Sequence, residues 1–523
     1  MVFFHSKNKM HCRATACAAS PRETKRLCDS LRLCGKPVRT LQPLKLVPFM
    51  ARKKKEKNLA ENIAITGYAA EGKSMGHLED GRVVFVTGVV PGDVANIQLS
   101  KSKKSFAEAR ALQITELSPD RIEPFCPHFG VCGGCKWQML PYEKQLAYKQ
   151  QQVTEQLRRL SGIPLPEMAH IVGSAEDRYY RNKLEFTFCA QRYFTDAEIQ
   201  NARLLDEPLE QEPALGFHAP GRFDKVVPIQ TCYLQPEPTN ILLAALRRYT
   251  EEKELPYYHP RTHEGWLRNV IIRVATTGEV LINLVVAYDW EEALKPLLDY
   301  ILKEVPGITS LHYTINTKVN DTIYDQPVTC YFGKEYIEEK LEDFVFRISP
   351  KSFFQTNTRQ AEKLYQITRD FAGLTGSEVL YDLYCGTGSI GIFCSKLARK
   401  VIGIETVADA VADAKINAAA NGIPHCEFFC GDVADVATDA FFETHGRPDV
   451  IITDPPRAGM HEDLIRQLLR IRAPRIVYVS CNPATQARDL ALLNEAYQVE
   501  KLQPVDMFPQ THHIENVALL ALR

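Results

Sequence analysis

From about residue 350 onward, short apolar runs alternate with helix-forming stretches. The runs EVLYDLY, KVIGIE, CEFFCGD, DVIITDPP and RIVYVSC read as strands. Such alternation specifies a doubly wound parallel sheet with helices on both faces. Two further runs, YQVEKLQPVDMF and NVALLALR, lie close together and predict an antiparallel edge pair.

In open α/β sheets, ligands bind beyond the carboxyl ends of the strands. The first strand runs into DLYCGTGSIGI (Asp382–Ile392), where Gly386 and Gly388 permit a tight turn and close backbone approach of a ligand. The next strand ends in Glu405, the third in Asp432, the fourth in Asp454-Pro-Pro-Arg457, and the fifth at Cys481. A glycine-rich loop alone is common to several nucleotide folds; polar residues at the ends of consecutive strands make a site. Cysteine is most often a small core residue, but Cys481 stands directly before a helix start. Asn482 is a good N-cap and Pro483 a good first helical residue. The helix dipole there predicts a thiol acidified towards thiolate.

The rest of the chain divides by texture. Residues 58–118 read as short strands with glycines at the turns, a small β-barrel of OB-like size. Its KSKKSF sets three lysines beside an aromatic ring, a combination suited to phosphate contact and base stacking. Residues 119–345 read as a central, β-rich α+β region: a cysteine cluster, the helical PYEKQLAYKQQQVTEQLRRL, and the hairpin LRNVIIRVA–VLINLVVAY. Residues 192–215 are polar and acidic and read as a loop or insertion. Residues 346–523 form the doubly wound domain.

The net charge of −1 hides an asymmetry. Residues 1–57 carry fifteen Lys/Arg against three Asp/Glu, which points to a polyanionic partner. Within that head, Cys12, Cys17, Cys28 and Cys34 lack metal-ligand spacing. Met50 opens MARKKKEKN, which reads as a bacterial start, so residues 1–49 are expected to be an upstream reading of the frame or a disordered tail. No apolar run approaches the ~20 residues needed to span a bilayer. With no secretory leader apparent, a cytoplasmic setting with reduced thiols is expected.

Fifteen reduced cysteines serve as core, as metal ligands or in catalysis. Cys126, Cys132 and Cys135 form a C-x5-C-x2-C run. Zinc ribbons pair two CxxC units and only one is present; an iron–sulfur cluster would need a fourth thiolate. Cys330, Cys385, Cys394, Cys426 and Cys430 sit in apolar runs and are expected to fill cores.

The doubly wound part resembles class I (Rossmann-like) S-adenosylmethionine-dependent methyltransferases, a resemblance carried by the glycine loop, the strand-end acids and the Asp-Pro-Pro. Arg457 stands where enzymes methylating exocyclic nitrogens carry an aromatic residue. Methylation of a pyrimidine at C5 needs a thiolate to add at C6, making C5 nucleophilic, and then a base to take the C5 proton. Cys481 suits the first task. Glu515, in FPQTHHIENVALL beside His512 and His513, is the candidate for the second, although taken alone it reads as a turn acid.

With SFFQTN (Ser352–Asn357), DLYCGTGS, GIE, DPPR, SCNPAT and THHIE, residues 58–523 resemble the RNA uracil-C5 methyltransferase family. The resemblance places the nucleophile on Cys481 and the base on Glu515. It places cofactor contacts on Gln355, Tyr384, Glu405, Asp432 and, where some relatives carry Asn, on Ser389, with Asp454 at the active site. The barrel is similar to the TRAM RNA-binding domain of the ribosomal RNA members. The resemblance also supplies a fourth cluster thiolate downstream. Cys232 in PIQTCYL fits it, whereas Cys189 in EFTFCA reads as strand interior. It implies a monomer carrying a [4Fe-4S] cluster, with 23S ribosomal RNA as substrate. tRNA is the alternative. A non-catalytic ribosome-assembly factor would need neither Cys481 nor Glu515, and an iron–sulfur redox sensor would not need the cofactor loop.

Overall fold

The computed structural model describes residues 58–523; the basic head, its four cysteines and Met50 lie outside the described residues. The first five strands, β1 (Leu59–Tyr68), β2 (Ser74–His77), β3 (Val83–Thr87), β4 (Val94–Ser102) and β5 (Phe106–Glu116), close into a barrel in the order β1-β2-β3-β5-β4. Inward residues such as Ile63, Ile65, Val84, Val86 and Ile97 fill it. The alternation in the sequence is only partial because register shifts interrupt β1 and the β4–β5 ladder; each bulge flips which residues face inward.

The central sheet holds β6 (Lys183–Cys189), β7 (Ala214–His218), β8 (Val226–Pro228), β9 (Leu267–Val274), β10 (Val280–Val286), β11 (Ile308–Ile315) and β12 (Val328–Gly333), in the order β12-β11-β10-β9-β6-β7-β8. The expected hairpin is β9–β10. The polar stretch at 192–215 is not only loop. It contains the helix Asp196–Leu205, whose N-terminus is closed by a reciprocal Thr195–Glu198 capping box and which buries none of its residues. Its T-x-x-E signature was in the sequence, but no apolar face accompanied it.

Two segments depart from the expected boundaries. The hairpin β13 (Ile337–Leu341) and β14 (Phe344–Ile348) spans the boundary drawn at 345/346, and its apolar residues share one core with the C-terminal sheet. The helix Tyr142–Ser161 packs against the helix Pro483–Leu493, and its Val153 and Leu157 belong to the core on the other face of that sheet. Its buried row is Gln145, Lys149, Val153, Leu157 and Ser161; three polar members erase the apolar stripe that would have announced the docking.

The C-terminal sheet comprises β15 (Val379–Leu383), β16 (Lys400–Glu405), β17 (Cys426–Cys430), β18 (Val450–Thr453), β19 (Arg475–Ser480), β20 (Tyr497–Val505) and β21 (Glu515–Leu522), in the order β17-β16-β15-β18-β19-β21-β20. The first five are parallel, and the order reverses between β15 and β18, which opens a crevice at their carboxyl ends. The last two do pair antiparallel, but only β20 is an edge: β21 inserts between β19 and β20. Six of its eight residues are buried, whereas β20 is half exposed, so the more apolar strand takes the inner place. Among the described residues, no helix is long and apolar enough to cross a membrane.

Candidate active site

Immediately after β15 the backbone turns left-handed at Tyr384 (φ 60°), Gly386 (53°) and Gly388 (76°). Glycine at 388 is demanded twice, since a Cβ there would also lie 2.9 Å from the Phe428 ring. Nothing lies within 4 Å of a Cβ at Gly386, so its backbone is open to an approaching ligand. Asp382 anchors the turn by accepting a hydrogen bond from Gly391 N at 2.8 Å. Its other oxygen is buried without a partner. Burial, helped by the charges of Asp454 and Glu405, pushes this carboxyl up to about 7.

A cavity of about 750 Å³ opens beyond β15, β16 and β17, lined by Tyr384, Glu405, Asp432, His461 and Arg466 among others. Glu405 accepts from Gly386 N (3.1 Å), Thr406 N (2.7 Å) and Val407 N (3.0 Å), which locks its carboxylate at the rim. Asp432 caps the short helix Val433–Val436 through Ala434 N at 2.9 Å. Three of the expected cofactor residues therefore share one cleft. Gln355 does not line it. Gln355 belongs to the segment passing over the glycine loop, where Thr387 Oγ1 donates to Phe353 O at 3.2 Å and Asn182 Nδ2 to Gln355 O at 2.9 Å. The Ser389 hydroxyl lies 2.9 Å from Tyr365 Oη and is engaged with the core.

Cys481 and Glu515 are brought together by strand register. The last β19–β21 pair is Ser480↔Asn516, so the next position sets Cys481 beside Glu515. Asn482 caps the following helix through Ala484 N, with Pro483 as its first residue, as expected. Two bonds to Arg457 O, from Asn482 Nδ2 (3.0 Å) and Thr485 Oγ1 (3.3 Å), stitch the Asp-Pro-Pro-Arg loop to this helix.

The expected acidification of Cys481 is not what the surroundings give. Burial, then the carboxylates of Glu515 and Asp454, push the thiol up to about 12, with Arg457 opposing. A helix dipole supplies about half a charge, and burial beside two acids outweighs it. Glu515 itself is pushed well above the ordinary carboxyl range by burial and by Asp454, and its Oε2 has no partner. Burial likewise lifts Asp454 to about 7. Three acids crowded beside one arginine exchange protons rather than ionise together. His512 and His513, with rings 4.2 Å apart, are depressed to about 4 and about 3 by burial and nearby cations, and so are neutral wall residues near pH 7.

The loop from Asp506 to Ile514 delivers Glu515, and its supports are residues that sequence reasoning missed. The fully buried Lys149 donates to Asp506 Oδ1 (2.6 Å) and Phe508 O (3.1 Å), and Tyr142 Oη to Asp506 Oδ2 (2.8 Å). Gln510, left-handed at φ 65°, exchanges two bonds with the Gln145 amide (2.9 and 3.0 Å). Its carbonyl accepts from Lys136 N (2.7 Å) and Trp137 N (3.1 Å), directly after Cys135. The barrel also reaches this loop: a Cβ at Gly72 would lie 2.9 Å from His512 Cβ. Polar residues on a helix carried no sequence signal for such contacts.

Cys126, Cys132, Cys135 and Cys232 are neighbours. Burial pushes Cys232 up to about 12 and Cys135 to about 11, and the other thiols of the group add to both shifts. Gly134 N donates to Cys132 Sγ at 3.3 Å, and Asn240 Oδ1 accepts from Cys232 N at 2.7 Å. Among the described residues, no group of three or more His, Cys, Asp or Glu is arranged to hold a metal ion. Cys189 lies in the sheet interior with Sγ 3.6 Å from Asp224 O. Cys385, Cys394 and Cys426 are buried as expected; Cys330, on the edge strand β12, is only half-buried, and Cys430, at the open end of β17, is exposed.

Comparison with known proteins agrees with this geometry. The family described as tRNA (Uracil-5-)-methyltransferase matches residues 326–523, and the TRAM domain matches residues 60–112. A protein of Bacteroides thetaiotaomicron named as an uncharacterized RNA methyltransferase is 52% identical over 458 residues, covering 87% of this chain and 100% of the relative. A Porphyromonas gingivalis protein of the same description is 50% identical over 460 residues, covering 87% and 98%. The crystal structure of Pyrococcus abyssi tRNA (uracil-54, C5)-methyltransferase, in complex with S-adenosyl-L-homocysteine, aligns with 88% of this chain and 99% of its own at 28% identity and a TM-score of 0.67. With a TRAM barrel ahead of a methyltransferase domain, the chain belongs to the S-adenosylmethionine-dependent RNA uracil-C5 methyltransferase family.

Proposed function

We propose that the protein methylates C5 of a uridine in 23S ribosomal RNA through a covalent bond between Cys481 and C6. The observation that carries this is the meeting of Cys481 with a buried, protonatable Glu515 at the end of β19. The target base must leave its stack to reach them. The Cys481 sulfur adds to C6 after its proton passes to the acid cluster, and the electron pair moves through C5 to the C4 carbonyl oxygen. S-adenosylmethionine supplies the methyl group taken by C5. Glu515, its own proton passed to solvent and the Cys481 proton held on Asp454, removes the C5 proton; the C5=C6 bond re-forms and the thiolate leaves. Arg457 limits the negative charge that accumulates. Tyr384, Glu405 and Asp432 fit the cofactor, because they share a cleft beside an open glycine backbone at the strand ends; Gln355 and Ser389 are assigned to it by resemblance alone, since neither lines that cleft.

By resemblance, Cys126, Cys132, Cys135 and Cys232 would hold a [4Fe-4S] cluster: the four thiols lie near one another beside the loop that delivers Glu515, although as they stand they are not arranged around a metal ion. Such a cluster would supply a rigid four-point crosslink, since C5 methylation transfers no electrons. The barrel together with the cysteine quartet favours ribosomal RNA, by resemblance. tRNA is the second reading, favoured by the solved Pyrococcus tRNA enzyme that aligns over 88% of the chain.

Mapping 5-methyluridine in ribosomal and transfer RNA of a deletion strain tests the substrate. Loss at one 23S position is expected; loss confined to tRNA would replace the first reading with the second. Glu515→Gln tests the mechanism. It should still add and methylate but fail to eliminate, leaving a protein–RNA crosslink that survives denaturing gels. A Cys481→Ala enzyme with normal turnover would refute the covalent route.

A further inference from the structure

The segment Asp177–Asn182 joins the cysteine-bearing segment, the loop that delivers Glu515 and the segment above the glycine loop. Tyr179 N and Arg181 N donate to Tyr233 O (2.7 Å) and Leu234 O (2.8 Å), the two residues after Cys232. Tyr180 Oη donates to Pro509 O at 2.9 Å, and the Arg181 guanidinium lies 5.2 Å from the centre of the Phe508 ring, both in the loop that delivers Glu515. Asn182 bonds to Gln355 O and Thr356 O above the glycine loop.

On its outer side this segment carries a ladder of flat groups. The Arg178 guanidinium lies 3.8 Å from the centre of the Phe125 ring. Phe125 meets Tyr233 edge-on at 5.5 Å, and Tyr233 meets Tyr179 at 6.0 Å. Phe125 directly precedes Cys126, and Tyr233 directly follows Cys232. Tyr179 is left-handed (φ 54°) and 44% exposed. A bulky aromatic residue in that conformation is strained, yet its ring gains little by burial. Beside it opens a cavity of about 480 Å³ lined by Arg178, Tyr179, Arg181 and Arg359. The acids nearby are engaged: Glu176 pairs with Arg359, and Asp177 accepts from Gln510 Nε2 at 3.1 Å.

We propose that Arg178, Phe125, Tyr233 and Tyr179 form a stacking platform for an unpaired RNA base flanking the target uridine. Unstacked bases are held on aromatic rings and arginine planes, with cations taking the adjoining phosphates. The platform rests on the reading of the substrate as RNA. It adds where the strand leaves the catalytic pocket: across the cysteine-bearing side.

The strain at Tyr179 makes the test selective. Tyr179→Gly removes the ring and relaxes the backbone, so thermal stability should hold or rise while RNA affinity falls. With fluorescent oligoadenylate as probe, Tyr179→Gly should bind about 5- to 150-fold more weakly than wild type, the span for losing one base–aromatic stack. Tyr179→Phe should restore binding, Arg178→Ala should weaken it, and affinity for S-adenosylmethionine should stay unchanged in all three. A Tyr179→Gly protein that is stably folded and binds oligoadenylate like wild type would overturn the platform, as would a Tyr179→Phe protein that binds no better than the glycine variant. Failure of the uridine reading shows elsewhere: wild-type enzyme would then leave no 5-methyluridine in any RNA, whatever its affinity for oligoadenylate.

Discussion

The two halves of the site are held in opposite ways. Around the cofactor, support is local: Asp382 grips Gly391, nine residues on, and Glu405 grips Gly386, nineteen residues back. Around Glu515, support comes from far along the chain. Asp506 is held by residues 364 and 357 positions away, and Gln510 by one 365 away. The first half is nearly self-contained. The second is assembled from outside, by the helix Tyr142–Ser161 and the cysteine-bearing segment. Perturbing the distant supports should therefore cost turnover before cofactor binding, and perturbing the glycine loop the reverse.

The largest expected effect tests the distant half. Lys149→Met leaves Asp506 buried without its counter-ion. Breaking a buried pair from one side costs about 3–5 kcal/mol, so the melting temperature should drop steeply and turnover vanish. If Lys149→Met melts like wild type, the external assembly is not what holds this loop. Next, Gln145→Leu removes the two bonds that hold Gln510 through its backbone N and its Oε1, at about 1–3 kcal/mol. We expect kcat to fall with affinity for S-adenosylmethionine intact; equal losses in both would erase the contrast between the halves. The converse is Gly388→Ala, whose methyl group meets Phe428 in an already left-handed turn, a strain of about 1–3 kcal/mol. Calorimetry should show weakened cofactor binding, while turnover at saturating cofactor persists.

The smallest effect is a pH dependence at the seam. Asp382 and Asp454 are raised to about 7, above their ordinary value near 4. The folded chain thus keeps protons that the unfolded chain has released. The associated stability is complete below about pH 4 and is lost as pH rises through 7. Melting temperature should decline over that window, and Asp382→Asn should flatten part of the decline; an unaltered slope would remove Asp382 from the account.

This contrast also explains what the sequence reveals. Much of the proposed cofactor cleft was legible because strand ends are contiguous with their strands: Glu405 and Asp432 needed only the alternation to be placed on one edge, whereas Tyr384 came from resemblance. Cys481 was legible by its cap, Asn482-Pro483. Its pairing with Glu515 came only from resemblance, since the insertion of β21 between β19 and β20 is a tertiary choice. Gln145 and Lys149 were invisible, because buried polar residues look like a helix's wet face until their partners are known. The raised Cys481 thiol was missed for the same reason, as the burial and the acids that raise it come from other parts of the chain.

The inner position of β21 also has a consequence for the order of synthesis. While the ribosome is still making β20, strands β19 and β20 have no common partner, and each presents an open backbone edge. Only when β21 arrives does the sheet close, and the same event carries Glu515 to Cys481. A nascent chain can thus form the cleft beyond β15, β16 and β17 first, and joins Cys481 to Glu515, the pair on which the proposed release of a methylated base depends, in the step that covers the open edge of β19.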